Sequence, residues 1–274
     1  MIENESPFWP QSWLDPSSTR LEKPRSSGLT MVIDKGLGLH ATEDLVNVAA
    51  PYIDVYKLGF GTSALYPTAL LKRKIALARM HHIAIMPGGT FFEIAAVQDS
   101  EKAYIERVTE LGFTAVEISD GSLPISLDQR YRAIQLAKEA GLTVFTEFGK
   151  KSSTFVVCQE QLFQTLEGDL RAGADYVIIE ARESGNVGVF NRSGEVDTAF
   201  LRDISLLAGE RANRLIWEAP RKDQQVALLL TLGLNANLGN IAPSDVLSIE
   251  TLRRGLRGDT ADWVLHERRI ATCE

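Results

Sequence analysis

Eight short apolar runs, spread evenly along the chain, constrain its fold more than any other feature. They are rich in β-branched residues and do not alternate between apolar and polar positions. The runs lie at 29–34, 54–59, 83–89, 114–120, 142–149, 175–181, 214–220 and 235–241. Runs of this length and character are typical of strands that are buried on both faces, as in a parallel sheet.

The segments between most of these runs have helical spacing. In 67–81, for example, Leu71, Ile75 and Ala78 recur three or four residues apart, with charged residues between them. The same pattern predicts helices at 99–112, 127–140, 159–172, 197–210, 221–232 and 243–257. Strands therefore alternate with helices along the chain.

This alternation predicts a single-domain α/β protein with the (β/α)8 barrel fold, also called a TIM barrel. Two predicted helices end at Gly112 and Gly141, where a left-handed helix cap favours glycine. An open, doubly wound sheet is the alternative. That fold usually has five or six strands and a GxGxxG phosphate loop after the first strand, which is missing here.

Residues 1–27 differ from the rest of the chain. They contain four of the ten prolines and six serines, without helical or strand periodicity. We interpret them as an extended N-terminal arm, and residues 28–274 as the barrel catalytic domain. Because exposed aromatic side chains are unfavourable in water, we expect Phe8, Trp9 and Trp13 to hold the arm against the domain or a neighbouring subunit. A homo-oligomer is therefore expected.

Composition excludes several classes of protein. A formal net charge of −7 argues against general affinity for nucleic acid or anionic membranes. Two distant cysteines, Cys158 and Cys273, do not make a disulfide framework or a thiolate zinc site. The first residues lack the pattern of a signal peptide, and no run approaches the roughly 20 apolar residues of a membrane span. We expect a soluble, cytoplasmic protein.

The carboxyl ends of the predicted strands carry acidic side chains. Barrel enzymes build their active sites from the loops at these ends. The acidic residues there are Asp34, Glu117, Glu147, Glu180 and Glu218. Carboxylates that lie close together must be protonated, paired with cations or bound to metal. None of the four histidines stands at a strand end, and oxygen ligands without histidine suit Mg²⁺.

Cations and small residues occur at the same ends. The candidate catalytic residues are Lys150, Lys151 and Arg182, and the candidate substrate-binding residues are Lys35, Lys57, Gly88, Gly89, Arg221, Gly239, Asn240 and Arg257. Alternation places Lys151 on the face of Glu147 and Lys150 on the other. A lysine there can be a general acid or a fixed charge for an anionic substrate. Alternatively, the lysines and arginines are solvated loop charges and the glycines simple turn residues.

Several blocks resemble the phosphosulfolactate synthase family, from about residue 28 to residue 260. They are TMVIDKGLG (30–38), KLGFGTSALYP (57–67), PGGTFFE (87–93), EISDGS (117–122), FGKK (148–151), DYVIIEARESG (175–185), EAP (218–220) followed by Gln224 and Gln225, NLGNI (237–241) and ETLRRGLRGDT (250–260). The resemblance implies a Mg²⁺-dependent barrel enzyme that adds sulfite to phosphoenolpyruvate, giving (2R)-phospho-3-sulfolactate. That product opens an archaeal route to coenzyme M, whereas plant relatives are linked to heat tolerance.

The resemblance also assigns roles to residues. The lysine pair matches the family motif, whose second member, Lys151, is implied to be the general acid. Lys35, Lys57, Arg182 and Arg221 are then expected to offset the repulsion between the two anionic reactants. The chain departs from the family pattern at Ala181, where glycine is usual, and at Arg221 and Asp223. The loop after Gly185 is also shorter.

Two other functions stay open on the sequence alone. One is another phosphoenolpyruvate-handling barrel enzyme, such as an aldolase or mutase. A Schiff-base aldolase would need a lysine near the end of the sixth strand, where this chain has Glu180 and Arg182. The other is a non-catalytic, stress-related barrel protein, which would be expected to have lost its charged residues at the strand ends.

Overall fold

The computed structural model describes residues 8–150, 157–181, 189–190 and 194–271. Eight parallel strands form one sheet in the order β3-β2-β1-β8-β7-β6-β5-β4. The strands are β1 (Thr30–Asp34), β2 (Val55–Leu58), β3 (Ala84–Pro87), β4 (Ala115–Ile118), β5 (Thr143–Phe148), β6 (Tyr176–Ile179), β7 (Leu215–Glu218) and β8 (Leu238–Ile241). The sheet curls into a nearly closed barrel with helices outside it, which confirms the predicted (β/α)8 fold.

Most of the helices connect successive strands on the outside of the barrel. The helices are α1 (Gln11–Leu14), α2 (Leu39–Ala49), α3 (Thr68–Met80), α4 (Gly89–Ala96), α5 (Glu101–Leu111), α6 (Leu127–Glu139), α7 (Gln159–Ala172), α8 (Thr198–Ala208), α9 (Lys222–Leu232), α10 (Val246–Arg254) and α11 (Gly258–Ala271). Of these, α1 belongs to the N-terminal arm, and α10 and α11 follow β8. Sequence periodicity did not identify α1, α2, α4 or α11. Helix α4, with the sequence GTFFEIAA, is short and mostly apolar, so it shows no alternation of faces.

Side chains of the strands alternate between the barrel lumen and the helices. Within the lumen, Met31, Val55, Ala115, Phe145 and Ile178 belong to one buried apolar cluster. The neighbouring residues on the same strands pack outward against the helices in two larger clusters. Each strand is therefore buried on both faces, which explains why its sequence is a continuous apolar run.

The barrel is not closed by backbone ladders all the way round, because β3 and β4 are the two ends of the sheet order. At the amino end of this β3–β4 seam, the Thr114 backbone N–H donates to the Ile85 carbonyl (3.2 Å). In return, the Ile85 N–H donates to the Thr114 hydroxyl (3.0 Å). At this point, two individual hydrogen bonds thus replace the backbone hydrogen-bond ladder that joins the other neighbouring strands.

The N-terminal arm is attached by polar side chains. Arg20 pairs with Glu250 of α10 (3.0 Å), and Arg25 pairs with Asp54 (2.9 Å). The Lys23 ammonium donates to the carbonyls of Ala50 (3.1 Å) and Ile53 (2.6 Å). These contacts lie at the amino ends of the strands, opposite to the predicted active site.

The three aromatic residues of the arm do not attach it to the domain. Phe8, Trp9 and Trp13 stack on one another, with 89%, 57% and 63% of their surfaces exposed. Attachment through these side chains to the barrel surface was therefore the wrong interpretation, since buried arginine and lysine contacts have that role.

Among the residues described, none of the helices combines the length and apolar character of a membrane span.

The contact between the arm and α10 should be measurable as stability. We expect Arg20→Ala to lower the free energy of unfolding by about 2 kcal/mol, because the buried Glu250 carboxylate loses a charged hydrogen-bond donor. Urea unfolding measures this loss. Arg107→Ala removes an exposed ion pair and should change stability by less than about 1 kcal/mol. Equal losses in the two variants would contradict a holding role for Arg20.

Candidate active site

One lysine and four glutamates converge at the carboxyl end of the barrel lumen. Lys57 lies on β2, Glu117 on β4, Glu147 on β5 and Glu218 on β7, and Glu180 directly follows β6. Each follows an apolar lumen residue of its own strand by two positions, so alternation turns it inward. All five are buried, each with less than a tenth of its surface exposed. We call them the lysine–glutamate cluster.

The ammonium group of Lys57 connects opposite sides of the barrel. It donates to Glu117 Oε1 and to Glu218 Oε1, both at 3.2 Å. The second oxygen of each carboxylate accepts a backbone N–H, from Gly89 at Glu117 (2.9 Å) and from Ala181 at Glu218 (3.0 Å). The structure therefore holds Glu117 and Glu218 in fixed orientations around a single cation.

Charge in this cluster is unbalanced. Burial by itself would lower the pKa of Lys57, but the charges of Glu117, Glu218, Glu147 and Glu180 outweigh burial and raise it, so Lys57 is charged. Burial raises the pKa of Glu218 to about 8, and the nearby charge of Glu180 adds to this effect. Lys57 and the Ala181 N–H counteract only part of the shift. Glu218 is thus mostly protonated at neutral pH.

Asp34, expected among the metal ligands, lies elsewhere. Its carboxylate pairs with Lys74 of α3, accepts from the Tyr56 hydroxyl (2.9 Å), and accepts the N–H groups of Gly36 (2.8 Å) and Leu37 (2.7 Å). Because Met31 faces the lumen, alternation turns Asp34, three positions later, towards the helices. The structure gives Asp34 a buried, structural ion pair that shapes the loop after β1.

The predicted catalytic residues are only partly described. The Lys150 ammonium donates to the Asp120 carboxylate and to the Asp120 carbonyl, both at 2.6 Å. Arg130 of α6 joins Asp120 (3.2 Å), the Glu147 carbonyl (3.0 Å) and Asp169 of α7 (2.6 Å). Lys150 is therefore an exposed tether between the loops after β4 and β5. Lys151 and Arg182 lie outside the described residues.

Two predicted binding residues, Gly239 and Asn240, lie in β8. A Cβ atom on Gly239 would lie 2.5 Å from Met31 Cε and 3.2 Å from Ile216 Cγ2, so a larger residue here would require lumen side chains beside the cluster to shift. Asn240 is buried and has a left-handed backbone with φ of +54°. Within the part of the chain that the structure describes, its side-chain oxygen has no hydrogen-bond partner. Such a strained, buried polar residue at a strand end is typical of ligand-binding positions.

The other predicted binding residues are distributed around the loops. Gly88 precedes α4 and Gly89 begins it, where Gly89 contributes its N–H to Glu117. Lys35 is exposed after β1. Arg221 is exposed and pairs with Asp223, whereas Arg257 is partly buried and contacts Ser248 and Asp259. The structure does not bring these three cations into the lysine–glutamate cluster.

Sequence reasoning missed two buried charged residues beside the site, Glu93 of α4 and Arg130 of α6. Glu93 accepts hydrogen bonds from the loop after β4, and Arg130 joins the ends of β4 and β5. In the sequence, Arg130 lies on the same helix face as Ala133, Ile134 and Ala137. A charged residue on an otherwise apolar face indicates that it has a buried partner.

The donor set of the cluster fits Mg²⁺ by its chemistry. Its four carboxylates supply hard oxygen atoms, which Mg²⁺ prefers. In the described residues, no group of three or more Asp, Glu, His or Cys side chains is arranged to hold a metal ion. Mg²⁺ is usually held by one or two carboxylates together with water and substrate oxygens, so a complete protein cage is not needed.

Comparison with known proteins shows the family to which this chain belongs. The sequence profile of (2R)-phospho-3-sulfolactate synthase matches residues 18–259. The chain belongs to this family. Proteins named phosphosulfolactate synthase from Methanocaldococcus jannaschii and Methanothermobacter thermautotrophicus are 46% and 39% identical over 85% and 88% of the chain, and 93% and 94% of their own lengths. The match begins at residue 18, within the predicted arm.

Solved structures add a comparison of the fold beyond the phosphosulfolactate synthase family. 3-Hexulose-6-phosphate synthase from Salmonella typhimurium aligns with a TM-score of 0.55, covering 81% of this chain and 97% of that protein. Sequence identity is only 15%, so the likeness concerns the barrel alone. The shared fold alone does not identify an active site.

Protonation of Glu218 should make stability depend on pH. The pKa of an unfolded glutamate is 4.5, whereas burial raises that of folded Glu218 to about 8. Between these values the folded state binds more protons, so we expect stability to fall as pH rises, by up to about 1.4 kcal/mol per pH unit. Glu218→Gln should flatten this slope. Urea unfolding from about pH 5 to about pH 8, with chelator present, measures both slopes.

The matched control is Glu110→Gln, which neutralises an exposed glutamate. The free energy of unfolding of Glu110→Gln should depend on pH in the same way as that of the unaltered protein. Parallel pH profiles for the unaltered protein and Glu218→Gln would show that Glu218 does not carry the excess proton.

Proposed function

We propose that this chain catalyses the addition of sulfite to phosphoenolpyruvate, giving (2R)-phospho-3-sulfolactate. Membership of the phosphosulfolactate synthase family supports the reaction, and the lysine–glutamate cluster at the carboxyl end of the lumen supports its location. The observation that carries the proposal is this cluster: a buried cation fixed between carboxylates at the end where barrel enzymes bind their substrates.

In the proposed reaction, the sulfur lone pair of sulfite attacks C3 of phosphoenolpyruvate and forms the C–S bond. The electrons of the C2–C3 double bond move onto the carboxylate, which becomes a dianionic aci-carboxylate. A proton delivered to C2 then completes the product, and the phosphate ester stays intact. Catalysis thus has to overcome the repulsion between two anions and stabilise the charge that grows on the carboxylate.

A bound Mg²⁺ would supply Lewis-acid stabilisation of that carboxylate charge. The residues that would hold it are the glutamates of the cluster, whose surplus negative charge favours a divalent cation. Asp34 is not part of this proposal, because it faces the helices, where its carboxylate pairs with Lys74 of α3.

Four residues of the protein have roles in this proposal. Lys57 places a fixed positive charge in the lumen and orients Glu117 and Glu218. Asn240 offers a bound ligand a buried side-chain oxygen at the end of β8. The family motif makes Lys151 the general acid that protonates C2, while Lys150 tethers the loop after β5 to Asp120.

The two other functions agree less well with the site. A Schiff-base aldolase needs an amine at the end of the sixth strand, whereas Glu180 follows β6. A non-catalytic barrel would not need to keep five ionisable side chains buried together, because such groups are costly without a ligand or function.

The direct test mixes the protein with Mg²⁺, phosphoenolpyruvate and sulfite and follows phosphosulfolactate by mass spectrometry. We expect product only when both substrates are present, and none after chelation of the metal. Binding of phosphoenolpyruvate without product would support another reaction of the same substrate. Absence of binding would support a non-catalytic role.

Two adjacent lysines allow a matched comparison. We expect Lys151→Ala to lower kcat by about 10²- to 10⁴-fold, the usual contribution of general acid catalysis. Lys150→Ala removes the Asp120 tether and should be less damaging, since no proton transfer is lost. Steady-state kinetics of both variants measures the difference. A Lys151→Ala enzyme as active as Lys150→Ala would remove Lys151 from its assigned role.

A further inference from the structure

Helix α4 bridges the β3–β4 seam at the level of the lysine–glutamate cluster. It begins at Gly89, immediately after β3, and its first N–H donates to Glu117 of β4 (2.9 Å). At the amino end of the seam, the two hydrogen bonds between Ile85 and Thr114 take the place of a backbone ladder. The position of Glu117 relative to β3 therefore depends on how α4 is attached to β4.

Glu93 makes that attachment. Its side chain is completely buried, and Oε1 accepts from the Ser119 hydroxyl and from the Gly121 N–H (2.9 Å). Oε2 accepts from the N–H groups of Ser122 (3.0 Å) and Leu123 (2.8 Å). A single carboxylate from α4 thus accepts from four residues of the loop that follows β4, and such charge-assisted hydrogen bonds are strong.

Close packing transmits this attachment to Glu117. A Cβ atom on Gly89 would lie 2.6 Å from the Ser119 hydroxyl and 3.1 Å from Glu117 Cγ. Helix α4 therefore touches β4 with bare backbone at Gly89 and with the Glu93 carboxylate one turn later. Two contacts a turn apart fix the helix both in position and in rotation.

We propose that Glu93 is a positioning residue: by closing the β3–β4 seam through α4, it sets the Gly89–Glu117 contact and hence the placement of the lysine–glutamate cluster. The inference deepens the proposed function and rests on it for its kinetic consequence. Glu93 itself does not contact the cluster through the hydrogen bonds described, so its effect on catalysis is transmitted through Gly89 and Ser119.

The test compares Glu93→Gln with Glu250→Gln. Glutamine has the shape of glutamate, but its amide NH2 faces donors, so two of the four hydrogen bonds to Glu93 are lost. Glu250 is equally buried and accepts from Arg20 and Arg254, but it lies at the amino ends of the strands. Both variants should lower stability, whereas only one should disturb the site.

Amide hydrogen exchange and kinetics are then measured on both full-length variants. We expect Glu93→Gln to accelerate exchange at residues 121–123 and also at Gly89, and to lower kcat/KM by about 10- to 100-fold, the usual effect of losing a partner that orients a ligating group. The fall should lie in kcat, with little change in KM for phosphoenolpyruvate. Glu250→Gln should leave Gly89 exchange and kcat/KM unchanged.

Faster exchange at residues 121–123 with unchanged exchange at Gly89 would overturn the proposal, because Glu93 would then only shape a loop. Equal kinetic losses in Glu93→Gln and Glu250→Gln would also overturn it. If the unaltered protein shows no sulfite addition, the proposed function fails, but Gly89 exchange still decides whether Glu93 closes the seam. Should Glu93→Gln not fold, Ser119→Ala removes one of the four donors and must change Gly89 exchange in the same direction.

Discussion

The placement of the Lys57 ammonium between the carboxylates of Glu117 and Glu218 is the interaction on which the rest of the site depends. It joins β2, β4 and β7 across the lumen, where a packed apolar layer gives way to charge. One lysine cannot balance four glutamates, and burial together with the charge of Glu180 raises the pKa of Glu218. This surplus of negative charge costs stability, and it is the feature on which the proposed binding of a divalent cation rests.

The sequence was sufficient to predict the strands and the strand ends at which charge collects. Glu117, Glu147, Glu180 and Glu218 were anticipated because each ends an apolar run, and the structure brings them together with Lys57. Asp34 also ends an apolar run but faces outward. Runs that are apolar on both faces do not show which parity points to the lumen, so a carboxylate at the end of a strand is ambiguous until the register is known.

Contacts made by helices were beyond sequence reasoning. Arg130 reaches Asp120, Glu147 and Asp169, which belong to two successive strand–helix units. Glu93 lies in a helix too short and too apolar to be recognised from periodicity. The seam between β3 and β4 is equally invisible, because all eight apolar runs look like strands with two neighbours. Such features depend on tertiary packing, which local patterns do not encode.

The N-terminal arm has a consequence for how the two ends of the barrel depend on each other. Ser17 and Arg20 bind Arg254 and Glu250 of α10, and the Thr19 carbonyl accepts from Asn235 just before β8. Lys23 and Arg25 of the same segment bind Ala50, Ile53 and Asp54, just before β2. One short segment thus connects the first and the last strand–helix units, so unfolding of either unit must also break contacts that hold the other.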